Sequence, residues 1–166
     1  DESQPRWLAF LNGAIDQIRV PVDFASVALP GGAIAPHLAR KGMRLQRALQ
    51  PDMAMTYFNM LDPVVGGYTP AQVALRRAVA LAYDSAEELR LVRHGQGVPA
   101  QSVVVPFTSG YDTAYRSEMS EYDPARAKAL LDLYGYVDRN GDGWRERPDG
   151  SPLVLRLAST TNQLSR

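Results

Sequence analysis

MRLQRALQPDMAMTYFNM, residues 43–60, is the segment that brings a sheet into the reading of this chain. Apolar Met43 and Leu45 alternate with polar Arg44 and Gln46, and the second half is rich in aromatic and apolar groups, Tyr57 and Phe58 among them. Alternation at a period of two puts apolar side chains on one face of an extended chain, so MRLQRAL and MAMTYFNM both read as strands. Pro51 and Asp52 separate them, and DPVVGGY after the second reads as a loop.

The segments that follow carry helical punctuation. Thr69 stands where a cap is needed, Pro70 opens the helix, and Gln72 completes a capping box. Leu75, Ala78, Val79, Ala82 and Tyr83 then form one apolar face. Asp84 and Glu87 form a second box ahead of EELRLVRHG, which stops at Gly95. After a long loop, Asp123 caps and Pro124 opens a third helix, with Ala127, Leu130, Leu131 and Tyr134 inward and Gly135 as the stop.

Upstream, Pro5 with Trp7, Phe10 and Leu11 ahead of Gly13 describes a short amphipathic helix. AIDQIRV reads as a strand, while Pro21–Gly42 gives only a short helix before RKG. At the far end GWRER and PLVLRLA read as strands joined by the turn residues Pro148, Asp149 and Gly150. Helices interspersed with strands make the class α/β or mixed α+β, three or more helices packed on a mixed sheet.

A chain of 166 residues suits a single domain, residues 1–166, burying about 70% of its unfolded surface. Eighteen Lys and Arg balance eighteen Asp and Glu, and no basic stripe points to a nucleic-acid partner. The absence of cysteine removes thiol catalysis, thiolate zinc and disulfides. No apolar run approaches the ~20 residues that span a bilayer, and DESQPRW is not a signal peptide. That acidic opening, running straight into a helix, reads as a cut inside a longer protein.

One motif points to metal. In VDRNGDGWRE, residues 137–146, Asp138, Asn140, Asp142 and Gly143 take the first, third, fifth and sixth places of a calcium loop. The twelfth place is Asp149, shorter than the usual Glu, and Arg139, Arg145 and Arg147 add positive charge beside the site. The competing reading is a helix-to-strand turn in which Asp and Asn accept backbone N–H bonds. His37 and His94 lack ligand-spaced partners, and no Gly-x-Ser-x-Gly elbow, P-loop or dinucleotide fingerprint occurs. Nothing assembles a catalytic set, and a hydrolase built on one of the serines stays only a remote alternative. Arg76 and Arg77 offer a grip for an anion or a solvated, ion-paired face.

Taken in order, FLNGAIDQI, TYFNM, ALRRAVALAYDSAEELRLVRHGQGVPA, YDPARAKALLDLYGYVDRNGDGW and GSPLVLRLAST resemble the extracellular solute-binding proteins of the peptide and nickel class, family 5. The resemblance covers nearly the whole chain. It implies part of lobe II of a type II periplasmic-binding-protein-like fold: a periplasmic protein that binds a small solute such as a peptide between two lobes and passes it to the permease of an ABC importer. It also implies a non-enzymatic role and favours a linking turn for the Asp138 loop, with no cofactor expected and calcium on Asp138, Asn140 and Asp142 as the minority reading. A calcium-binding structural or interaction module built on that loop is the competing class.

Ligand sites in α/β sheets lie beyond the carboxyl ends of strands. PLVLRLA ends at Ala158, so Ser159, Thr160, Thr161 and Asn162 are candidate ligand contacts or else caps of a following helix at Gln163, with Asn59 at the end of TYFNM as a weaker candidate. The expected sheet would also leave an open edge through which the chain could self-associate.

Overall fold

The computed structural model describes residues 3–159. Their elements are six α-helices and two 3-10 turns: α1 Ser3–Leu11, α2 Val22–Ala28, α3 Pro36–Ala39, α4 Pro70–Leu81, α5 Ser85–Leu91 and α6 Pro124–Leu133, with the 3-10 turns at Pro30–Gly32 and Glu118–Ser120. No helix among the described residues is long and apolar enough to cross a membrane.

The expected sheet is absent from the described residues, which corrects the α/β, helices-on-mixed-sheet reading. Their single ladder contact is an isolated antiparallel bridge between Glu146 and Pro152. A strand is defined by the neighbour that takes its N–H and C=O groups, and side-chain alternation cannot supply that neighbour. Residues 44–58 form no regular element and have no such partner, leaving Met55 and Tyr57 exposed. AIDQIRV is likewise irregular, although Ile18 and Val20 pack on an apolar cluster. Of the expected GWRER–PLVLRLA hairpin the turn is present: the Gly150 N–H donates to the Arg147 carbonyl and the Arg147 N–H to the Ser151 carbonyl, each at 2.8 Å. Beyond the bridge the second arm is exposed, Leu157 most of all.

The described residues gather into two compact units. The first comprises Ala86–Val98 and the described parts of Asp1–Leu49 and Ser159–Arg166. Its core joins Trp7 of α1 to Ala28, Ala35 and Leu38, with Phe10, Phe24 and Leu29 packed against them. Trp7 stacks on Phe24 at a centroid distance of 5.5 Å, near the optimum for offset aromatic rings. Pro21 gives α2 no side-chain cap, so that helix depends on burying Ala25 and Ala28. Gly31 at φ 62° and Gly32 at φ 80° then turn the chain, and the Ala35 N–H returns to the Ala28 carbonyl at 2.8 Å. The left-handed region admits glycine with little penalty. In this unit α5 ends at Leu91, and His94 lies beyond it in a left-handed turn rather than in the helix.

The second unit, Gln50–Ser85 and Pro99–Ala158, is organised by α4 against α6. Ala78 and Leu81 meet Ala127, with Leu130 and Leu131 alongside. The buried face of α4 is Ala74, Leu75, Ala78 and Leu81. It stops short of Ala82 and Tyr83, because the helix ends at Leu81 and Tyr83 is 53% exposed. A bond from the Asp123 N–H to the Leu81 carbonyl at 2.8 Å ties the start of α6 to the end of α4.

Gly135, at φ 81°, closes α6 in a Schellman turn. Its N–H reaches the Asp132 carbonyl at 3.1 Å and that of Tyr136 the Leu131 carbonyl at 3.0 Å. The turn drives Tyr136 inward, 2% exposed, where its hydroxyl donates to the Ala71 carbonyl of α4 at 3.2 Å. Burial holds the Tyr136 phenol above its ordinary pKa, so it stays a neutral donor.

Tyr136→Phe should therefore cost about 1 kcal/mol of unfolding free energy, the usual net value of one hydrogen bond. Gly135→Ala should cost about 1–2 kcal/mol for the left-handed backbone alone, since an added Cβ would meet Pro148 only at an ordinary 3.6 Å. Urea unfolding of the two variants checks both values.

Candidate functional site

The helix pair fixes two polar loops and a groove in the second unit. The first loop begins at Asn59, whose Oδ1 accepts the Leu61 N–H at 3.0 Å and so orients the exposed side chain. Asp62 then closes the loop from within: its Oδ1 accepts the N–H groups of Val64 at 2.7 Å and Val65 at 3.0 Å. Those two donors hold its carboxyl below the ordinary range, Val65 contributing most. Gly66 crosses so close that a Cβ there would lie 2.4 Å from the Met60 carbonyl oxygen.

Arg76 of α4 locks the loop from outside, donating from Nη1 to the Val65 carbonyl at 2.6 Å and the Gly67 carbonyl at 2.9 Å. This role was not legible in the sequence, where Arg76 and Arg77 looked equivalent. The neighbouring Arg77 pairs instead with Glu118 at 3.0 Å, as an ion-paired face requires. At the head of α4 the capping box forms: Thr69 Oγ1 accepts the Gln72 N–H at 3.3 Å, and Gln72 Oε1 accepts the Thr69 N–H at 3.2 Å.

Between α4 and α6 runs an open groove of about 340 Å³, lined chiefly by Tyr68, Val73, Ala74, Arg77, Leu130 and Tyr134. Tyr134, expected to point inward, is 36% exposed and forms a wall of this groove. The signal was present in the tyrosines at the two helix ends, but their convergence depends on helix packing.

The second loop is the Asp138 segment. Asp138 accepts the Gly141 N–H at 2.7 Å on one oxygen and the Gly143 N–H at 2.9 Å on the other. Asn140 Oδ1 accepts the Asp142 N–H at 2.9 Å, and Asp142 Oδ1 the Trp144 N–H at 2.8 Å. Glu146, 8% exposed, accepts the Arg139 N–H at 2.7 Å. Carboxylate oxygens of Asp138, Asp142 and Glu146 lie within 4.8 Å of one another. Glu146 sits at the ninth place of the motif, which sequence reasoning passed over.

Asp149, the twelfth place, is engaged in its own turn: its Oδ1 accepts the Ser151 hydroxyl at 2.6 Å and the Ser151 N–H at 2.9 Å. That hydroxyl, with the Ser151 N–H next, holds the Asp149 carboxyl below its ordinary range. Arg139 donates to the carbonyls of Gly135 and Arg147, and Arg145 to Asp132 and the Tyr136 carbonyl. The loop's side chains thus bond its own backbone, and its arginines tie it to the end of α6.

Of the expected ligand contacts, Asn59 belongs to the second unit and Ser159, exposed, to the first. Thr160, Thr161 and Asn162 lie outside the described residues.

The whole chain, residues 1–166, matches the sequence profile of bacterial extracellular solute-binding proteins, family 5 Middle. No curated protein and no solved structure matched it. The chain belongs to that family, whose role is solute binding for ABC import, a task in general non-enzymatic and typically extracellular or periplasmic.

Asp62 has a lowered folded pKa, so its contribution to the first loop is complete above the ordinary carboxylate range and is lost as pH falls through the folded value. Acid titration should shift the Val64 and Val65 amide resonances together with the Asp62 carboxyl, and Asp62→Asn should blunt that step. For the second loop, Asp138→Ala should cost about 1 kcal/mol by removing acceptors from two backbone amides. If the loop is a turn, melting with millimolar calcium and with chelator should coincide. Calcium at ~100 times its Kd would instead add about 2.7 kcal/mol.

Proposed function

We propose that this chain forms part of the second lobe of a two-lobed periplasmic protein that holds a peptide-like or other small solute for the permease of an ABC importer. Membership of the solute-binding family over all 166 residues carries the reading. It calls for no metal or cofactor, and the polar loops of the second unit serve it as scaffold.

Asn59 is proposed as a ligand contact, and Ser159, Thr160, Thr161 and Asn162 are proposed as contacts on their own account. Support for Asn59 comes from the way it is held. A binding site discriminates best when its polar groups are fixed before the ligand arrives, because less ordering then opposes binding. The loop after Asn59 is closed by Asp62, by the tight passage of Gly66 and by Arg76. Its exposed side chain therefore starts from a defined backbone, able to donate or accept a hydrogen bond to a peptide group.

A two-lobed site encloses most of its ligand, so one lobe alone should bind weakly. Calorimetry with a solute identified for the full-length protein should give no saturable heat with this chain at micromolar concentration. In the full-length protein, Asn59→Ala should raise Kd about tenfold, equivalent to one polar contact of about 1.4 kcal/mol. Tight stoichiometric binding by the chain alone would overturn the two-lobe reading. An unchanged Kd in Asn59→Ala would remove that residue from the site.

A further inference from the structure

Whole-chain neutrality conceals a local excess of positive charge. From Phe24 to Pro51 there is no Asp or Glu, while Arg40, Lys41, Arg44 and Arg47 fall within eight positions. All four are exposed. They surround the reversal after α3, where the Lys41 N–H donates to the Leu38 carbonyl at 3.0 Å and the Gly42 N–H to the Ala39 carbonyl at 2.9 Å. Leu38 and Met43 anchor this reversal in the core of the first unit. Arg47 folds back to donate to the Gly32 carbonyl. The result is a cationic turn on an apolar base.

Six arginines elsewhere, Arg77, Arg90, Arg93, Arg126, Arg145 and Arg147, each lie within ion-pair distance of a carboxylate. Among the described residues none of the four cations around Gly42 has such a partner. Like charges gathered without counter-charges oppose the compact state, and α3, a single turn of four residues, has too small a dipole to offset four of them.

We propose that this turn docks on anionic phospholipid headgroups. The mixture of ammonium and guanidinium groups is spread over eight positions around a turn. Such an array suits a diffuse anionic layer better than a single anion. The family serves a membrane importer, so a lipid surface is the polyanion within reach. The inference rests on family membership; vesicle binding is read without any solute, so its failure and that of the solute reading remain distinguishable.

The test is co-sedimentation of the full chain with phosphatidylcholine vesicles, with and without phosphatidylglycerol, at low and high salt. Binding is expected only to the anionic vesicles and should disappear as salt shortens the screening length. The combined variant Arg40→Ser, Lys41→Ser, Arg44→Ser should lower the partition coefficient about a hundredfold, at about fivefold per charge. Lys128→Ser, at an exposed cation of α6 outside the run, should leave it within about twofold. Should the combined variant misfold, the dependence of the unaltered chain on lipid charge and salt decides. No binding, equal binding to neutral vesicles, or undiminished binding by a folded combined variant would overturn the proposal. Retention by immobilised polyglutamate without binding to anionic vesicles would also overturn it, in favour of an acidic protein surface.

Discussion

The packing of α4 on α6 is the constraint on which the second unit depends. Both helices present small residues at the contact, Ala78 and Ala127, so their backbones can approach closely while Leu81, Leu130 and Leu131 fill the flanks. Two polar links then set where one helix lies against the other. The Asp123 amide bonds the end of α4, and the Tyr136 hydroxyl bonds its first turn. An apolar contact alone tolerates sliding, whereas directional bonds at both ends do not. Both polar loops inherit that precision: Arg76 reaches from α4 to the Asn59 loop, and the Asp138 loop leaves directly from Tyr136.

What was legible in the sequence is what the chain settles within a few residues. Thr69, Pro70 and Gln72 announce the start of α4 because the bonds they make close over three positions. Asp123 and Gly135 bracket α6 for the same reason. Strands are different, since alternation in MRLQRAL or PLVLRLA states only which faces are apolar and leaves the partner unspecified. Among the described residues that partner is absent. The helix α2 went unread for the opposite reason: Pro21 provides no side-chain cap, and burial of Ala25 and Ala28 supplies the stability instead.

The candidate site follows the same division. Side chains bonding two to five residues away, such as Asp138 to Gly141 and Gly143, follow from composition, and the turn reading of that loop rests on them. The grip of Arg76 on Val65 spans eleven positions and depends on a helix running beside a loop. Charge behaves likewise. Equal totals of acidic and basic residues hid the run from Arg40 to Arg47, because attraction and repulsion act locally within the screening length.

The central claim is that this chain belongs to a protein built to carry a small solute. Native mass spectrometry of the full-length protein, taken without denaturation from the compartment in which it works, tests it most directly. The account predicts a one-to-one complex with a small molecule that is released on unfolding. A bare protein mass that stays unshifted when the protein is offered the small-molecule fraction of its own surroundings would contradict it.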